Sequence, residues 1–148
     1  MAKAWQDAGV YIEDGTFIMR NNATVHRNRA RDTIFALNIL GGRVYVGKNG
    51  IFIMQDNASV RRNTAGLYGG GVFVGGTFSM YDNALVYSNR VTGIGRRNPG
   101  YMGRQNVGGD GVYVIGTFTI NDNASARDSV INNGAYNRQD RAMPQNNY

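Results

Sequence analysis

The chain of 148 residues contains no cysteine, so neither a disulfide framework nor a cysteine-ligated zinc site is possible. His26 is its single histidine and no Gly-x-Ser-x-Gly elbow occurs, which leaves little for nucleophilic catalysis. No apolar run approaches the roughly 20 residues that a membrane-spanning helix needs. We therefore expect no transmembrane segment, no Cys- or His-based metal centre and no bound cofactor.

The abundant residues indicate turn-rich β structure. There are 21 glycines, nine tyrosines and 18 asparagines but only two prolines, a mixture typical of short strands joined by tight turns. Sixteen Lys and Arg against ten Asp and Glu give a net charge of +6. This excess favours an anionic partner, although the arginines are scattered and equally explain solubility.

One pattern recurs four times along the chain. Each copy has a short alternating run, a glycine turn, a second alternating run and an Asn-Ala corner. The copies are residues 9–25, 43–60, 71–86 and 111–126. The connections between them vary in length while the pattern does not, which is expected when each copy is one coil of a solenoid and the loops project sideways.

Within each copy, β-branched and aromatic residues alternate with period two, so we expect short strands with one inward face. Glycine recurs between the two runs at Gly15, Gly50, Gly76 and Gly116, where a positive φ or a close backbone approach is expected. Equivalent inward residues should stack from copy to copy. The predicted ladders are Phe17, Phe52, Phe78 and Phe118 in the core, and Asn22, Asn57, Asn83 and Asn123 inside the corner. A second asparagine column follows at Asn28, Asn63 and Asn89, with Ser129 in the last copy.

These repeats resemble the right-handed parallel β-helix repeats of bacterial surface and adhesin-like proteins. The resemblance is carried by Gly-Gly-Gly-Val-Phe-Val, Gly-Thr-Phe-Ser-Met and the Asn-Thr-Ala ending, and the best-matching stretch is residues 63–80. It covers residues 9 to 131 apart from the inserts. It implies an all-β, right-handed parallel β-helix, or β-solenoid, of about four coils with variable loop inserts. It also implies an extracellular or cell-surface location, and it brings no catalytic signature.

The two ends of such a stack expose unpaired backbone and an open apolar cross-section. We expect residues 1–8 to form a small cap over the first coil and residues 9–133 to form the β-helix. Residues 1–8 lack the charged start and apolar run of a secretory signal. Residues 134–148 are predicted to be an arm that contacts a neighbouring subunit through Tyr136, Met143 and Tyr148.

Two candidate binding features follow from the same register. The outward positions of the first run form a possible aromatic contact stripe: Tyr11, Tyr45, Phe73 and Tyr113. A basic, glycine-containing loop holds Arg96, Arg97 and Arg104. Stripe and loop together could bind an acidic glycan or another polyanion; we do not expect nucleic acid as the partner.

Asp56, Asp82 and Asp122 occupy one column, which could serve a cation or the carboxylate chemistry of a β-helix polysaccharide lyase or hydrolase. Asp before Asn is also an ordinary turn-forming pair, and we favour that interpretation. The leading hypothesis is a non-enzymatic structural subunit of a surface or extracellular assembly that self-assembles end to end, a mode of stacking that can produce a filament. Polyanion binding is the first alternative and a carbohydrate-active enzyme the second.

Overall fold

The computed structural model describes residues 9–29, 44–66, 68–92, 109–132 and 135–139. All the regular structure in these segments is β-strand, and none of it is helix. The strands are β1 (Val10–Met19), β2 (Thr24–His26), β3 (Val44–Met54), β4 (Ser59–Arg61), β5 (Thr64–Ala65), β6 (Val72–Val74), β7 (Thr77–Met80), β8 (Leu85–Tyr87), β9 (Arg90–Val91), β10 (Val112–Val114), β11 (Thr117–Asn121), β12 (Ser125–Ala126), β13 (Val130–Asn132) and β14 (Ala135–Gln139).

The strands form three parallel sheets. The largest has eight strands in the order β13-β10-β6-β3-β7-β11-β14, with β1 paired to β3, and it is curled into about half a barrel. It combines both runs of each copy because β1 and β3 pass through the two runs without a break. The second sheet has the order β12-β8-β4-β2, and the third consists of β5 and β9. The fold is all-β with a solenoid-like arrangement of parallel strands.

Equivalent residues of successive copies are direct neighbours in these sheets. Phe17 pairs with Phe52, which pairs with Phe78, which pairs with Phe118. The third run follows the same rule, since Val25 pairs with Val60 and Val60 with Val86. A one-residue slip would turn every inward side chain outward, so the apolar alternation holds this register.

The core lies inside the curl and consists of columns of like residues. Phe52, Phe78 and Phe118 are completely buried, and their rings stack with centroids 4.7 and 4.9 Å apart. Phe17 continues the stack at 5.7 Å from Phe52. Burying a phenylalanine side chain contributes roughly 1.5–3 kcal/mol, so this column is a major part of the stabilisation. Methionine, valine and alanine columns complete the core: Met19, Met54 and Met80; Val44, Val72 and Val112; Ala58, Ala84 and Ala124.

The turn between the two runs differs in length from copy to copy, but its last residue is glycine in every copy. Gly15 has a φ of 83°, in the left-handed region that favours glycine. At Gly76 and Gly116 the reason is space, because a Cβ there would collide with the backbone carbonyl of the glycine turn in the preceding copy. The copies are therefore in backbone contact at this turn.

Parallel pairing continues past the fourth copy. Val130–Asn132 pairs with Val112–Val114, and Ala135–Gln139 pairs with Thr117–Asn121, so the chain begins a fifth layer. The β-helix was expected to end at residue 133, with an arm beyond it, whereas strand pairing extends to Gln139. Val130 enters this layer directly from Ser129, whose carbonyl accepts the Gly111 N–H at 3.0 Å. The predicted cap, residues 1–8, lies outside the described residues.

Candidate functional site

The outward aromatic residues of the first run form a continuous stack. Ring centroids are 4.9 Å apart for Tyr11 and Tyr45, 5.2 Å for Tyr45 and Phe73, and 5.7 Å for Phe73 and Tyr113. The rings are nearly parallel, because equivalent positions of paired parallel strands place their side chains in one column. The structure therefore brings all four residues of the predicted stripe together.

The stripe is open at one end and covered in the middle. Tyr11 is 55% exposed, whereas Phe73 is only 2% exposed. Two chain segments lie against it: the ring of Tyr68 is 4.7 Å from that of Tyr113, and a Cβ on Gly109 would lie 3.2 Å from the Tyr113 Cβ. Phe73 lies on the outer side of the sheet with Tyr45 and Tyr113 but is buried there, so it offers no exposed contact surface. The stripe surface available for a partner is Tyr11 together with the partly exposed Tyr45 and Tyr113.

At the exposed end of the stripe, a hydrogen bond to a carboxylate keeps the Tyr11 phenol protonated well above neutral pH. The Tyr11 hydroxyl donates a hydrogen bond to the Glu13 carboxylate on the same strand. This bond, with smaller effects of burial and of the Glu13 charge, raises the pKa of Tyr11 to about 12. Burial raises the pKa of Tyr45, and the Glu13 charge adds to it. At neutral pH these phenols act as stacking surfaces and hydrogen-bond donors.

Several predicted site residues cannot be placed. Arg96, Arg97 and Arg104 of the basic loop lie outside the described residues, as do Met143 and Tyr148 of the expected arm. Tyr136 is described through its backbone, which pairs with Phe118 as part of β14. Its neighbour in the sheet belongs to this chain, so the contact that the structure shows for Tyr136 is intramolecular.

The first corner comprises residues 20–23, 55–58, 81–84 and 121–124, between the second and third runs. We expected its asparagines inside, and this is wrong: Asn22, Asn57, Asn83 and Asn123 are all exposed. The position is exposed because the residue before it turns the chain in a left-handed conformation and the following alanine takes the inward place. Ala58 and Ala84 are fully buried there. Only one long contact, 3.5 Å from Asn83 Nδ2 to Asn57 Oδ1, joins the exposed amides in the described structure.

The aspartate column belongs to the same corner and binds backbone. The Asp56 carboxylate accepts the N–H of Asn21 at 2.8 Å, and the Asp82 carboxylate accepts the N–H of Asp56 at 2.9 Å. Asp122 does the same for Asp82 at 3.2 Å. Asn21 and the three aspartates have a φ of 57°, a conformation that Asn and Asp adopt more readily than most residues. Among the described residues, no group of three or more His, Asp or Glu side chains is arranged to hold a metal ion.

The second corner comprises residues 26–29, 61–64, 87–90 and 127–130, and it contains the buried asparagine ladder. Asn63 is 1% exposed and Asn89 is 6% exposed. Asn63 Oδ1 accepts both the backbone and the side-chain N–H of Asn28, each at 3.1 Å. Asn89 Oδ1 accepts the corresponding pair from Asn63 at 3.1 and 3.0 Å.

The last rung of this ladder is a carboxylate. Asp128 accepts the Ser88 and Asn89 backbone N–H groups, each at 2.8 Å, and the Asn89 side-chain N–H at 3.1 Å. Sequence register placed Ser129 at this rung, but Ser129 uses its Oγ to accept the Asp110 N–H at 2.8 Å. The recurrence of Asn six residues after the first asparagine column was the available signal for the buried ladder.

Comparisons with protein-family models, with curated proteins and with solved structures gave no match to this chain. The resemblance to β-helix repeats of surface proteins therefore remains a prediction based on the repeat residues. In the part of the chain that the structure describes, no helix has the length and apolarity needed to cross a bilayer.

Proposed function

We propose that this protein is a right-handed parallel β-helix that acts as a non-enzymatic structural subunit and assembles end to end at a surface or outside the cell. The observation that carries the proposal is that the described core is open at its two outermost layers. Five apolar residues are only partly buried against it, and all lie in its outermost layers: Val10, Phe17, Val25, Ala126 and Val130. The layers between them have fully buried equivalents.

The backbone is open at the same two places. β1 pairs only with β3, and β14 pairs only with β11, so in the described structure each has an unpaired edge. An unpaired parallel edge is a template for another strand. Because one end offers β1 and the other β14, two copies would join head to tail. A contact of this kind repeats without closing unless the rotation between copies forms a ring.

The apolar outer face near the first end supports the same proposal. Ile18 and Ile51 are 41% and 39% exposed, on adjacent strands, and Tyr11 lies on the same edge strand as Ile18. The aspartate column, by contrast, serves backbone N–H groups, which favours a structural role over catalysis for those carboxylates.

The backbone geometry of β1 provides a selective test. The Gln55 N–H donates to the Met19 carbonyl at 2.9 Å, so Met19 directs its polar groups toward β3. Alternate residues of a strand direct them to opposite sides, so the N–H of Ile18 points to the open edge. Ile18→Pro removes that donor without removing a bond inside the subunit, and Pro is tolerated at such edge positions. Ile18→Val is the matched control.

Sedimentation velocity over a concentration series and electron microscopy would follow assembly. We expect the wild type and Ile18→Val to form linear particles whose mass grows with concentration, and Ile18→Pro to remain small with an unchanged unfolding transition. If Ile18→Pro unfolds, Thr16→Lys tests the same edge by placing a charge on it. A wild type that stays monomeric throughout, or edge variants that assemble as well as Ile18→Val, would disprove the proposal.

A further inference from the structure

Charge is segregated along the described surface. Of the eight Lys and Arg side chains that the structure describes, six lie at the second corner. They are Arg27, Arg29, Arg61, Arg62, Arg90 and Arg127. The described remainder carries Arg20 and Lys48 with six carboxylates. We call the six corner residues the arginine ridge.

The strand register stacks the ridge across all four copies. His26 pairs with Arg61 and Arg61 with Tyr87, and Arg127 follows β12 at the same level. A neighbouring column runs through Arg29, Thr64 and Arg90. Copies stack at about 4.8 Å, so the ridge is on the order of 15 Å long, and its arginines occupy three columns around the corner. All six arginines are exposed except Arg61, which is half-buried.

Two described carboxylates lie beside the ridge, and both are bonded to backbone N–H groups. Asp128 directs its oxygens to the backbone and side chain of residues 88 and 89, and Asp110 accepts the Val91 N–H at 2.7 Å. No described carboxylate forms an ion pair with any of the six guanidinium groups. Like charges held one strand spacing apart repel each other, so the ridge favours an external anion that lies along it.

At two of the six ridge positions, the backbone conformation does not favour arginine. Arg27 and Arg62 have φ values of 57° and 55°. The left-handed conformation costs roughly 1–2 kcal/mol for residues other than Gly, Asn and Asp. The equivalent turn at the first corner uses Asn21 and three aspartates, which suit it. Retaining arginine at a strained position is a reason to look for a function.

We propose that the arginine ridge binds a linear anionic polysaccharide, with sulfate or carboxylate groups paired to successive guanidinium forks. Arginine binds such oxyanions in a bidentate manner. The ridge has room for one polymer chain. Only the three-residue strand β2 and its equivalents separate the ridge from the aspartate column at the first corner. A nucleic acid duplex is wider than the ridge, since its two grooves alone are about 12 and 6 Å wide. It would therefore also cover those carboxylates. Single-stranded nucleic acid requires a series of aromatic platforms, and the one tyrosine of the described corner, Tyr87, is half-buried.

The test compares two variants that each lose two positive charges. Arg27→Asn with Arg62→Asn removes ridge charge and places a residue suited to the left-handed turn. Arg20→Gln with Lys48→Gln is the control, because both side chains are exposed and lie off the ridge. Binding of a heparin-type dodecasaccharide and of an oligogalacturonate would be measured calorimetrically at two salt concentrations. Arg90→Gln with Arg127→Gln repeats the test away from the strained turn.

We expect the wild type to bind at least one oligosaccharide, with affinity that falls as salt rises. Both ridge variants should bind about tenfold more weakly, and the control within about twofold of wild type. Equal losses in ridge and control variants would overturn the proposal, as would tighter binding of single-stranded DNA with the same charge. Self-assembly measured on the same variants separates this site from the end-to-end contact, since the ridge variants should assemble as the wild type does.

Discussion

The two asparagine-rich corners look alike in sequence and are built in opposite ways. At the first corner, the amides point to solvent and exposed carboxylates accept backbone N–H groups from the preceding copy. At the second, the amides are buried and bond to one another, to backbone N–H groups and to carbonyls such as Val25 O and Val60 O. A buried polar group is costly unless its bonds are complete, so only the second corner depends on asparagine itself.

The difference also concerns where each corner can carry charge. Carboxylates at the first corner compensate the backbone donors of a left-handed turn, and their exposure keeps the desolvation cost small. The second corner has an interior of amides, closed by the Asp128 carboxylate at its last rung, and its outer positions are free for arginine. One side of the molecule is therefore acidic and the adjoining corner basic, although both turns perform the same reversal of the chain.

The largest expected effect separates the two asparagine columns. Asn63→Ala removes the acceptor of two Asn28 N–H groups and also the side-chain donor that bonds Val25 O and Asn89 Oδ1. We expect a loss of about 3 kcal/mol in the free energy of unfolding. Asn57→Ala, in the exposed column, should change it by less than about 0.5 kcal/mol. Urea unfolding of both variants measures the difference, and equal losses would show that the corners are not distinct.

A smaller effect is expected from the aspartates of the first corner. Asp82→Ala loses the acceptor for the Asp56 N–H and places alanine at a φ of 57°, which should cost about 1–2 kcal/mol. Asp82→Asn keeps an acceptor oxygen and suits the conformation, as Asn21 does in the first copy. It should be within about 0.5 kcal/mol of wild type. Thermal unfolding compares them; a large loss in Asp82→Asn would mean that the negative charge itself is required.

The smallest effect is expected at a hydrogen bond that lies within a single copy of the repeat. The raised pKa of Tyr11, about 12 against an ordinary 10.0, means that the Tyr11–Glu13 bond stabilises the fold fully below pH 10. That contribution is lost as the pH rises from 10 toward 12. Absorbance titration should show a late-ionising phenol that is absent in Tyr11→Phe and ionises earlier in Glu13→Gln. The phenols of Tyr45 and Tyr68, whose pKa is raised by burial, remain late-ionising in Tyr11→Phe. An unchanged titration curve in both variants would contradict the assignment.

Much of the fold could be predicted because the repeat carries its own register. The phenylalanine column, the alternating valines and the close approach at Gly76 and Gly116 follow from equivalent positions lying over one another. The first asparagine column was misplaced because recurrence shows that residues stack but not which way they point. That direction depends on the left-handed residue before each asparagine and on the small buried Ala58 and Ala84 after it.

The candidate surfaces were harder to predict for a different reason. The aromatic stripe is covered by Tyr68 and Gly109, which approach Tyr113 from outside the repeated pattern. The arginine ridge could not be predicted from the sequence, because its members are far apart in the chain. They also occupy three different columns around one corner. Only the pairing of His26 with Arg61, and of Thr64 with Arg90, shows that they belong to one surface.

The central claim is that copies stack in register through a buried amide ladder at one corner only. Hydrogen exchange of the asparagine side-chain amides, followed by NMR, tests it directly. The account predicts that the amide protons of Asn63 and Asn89 exchange orders of magnitude more slowly than those of Asn57 and Asn83. Equally fast exchange at all four residues would contradict it.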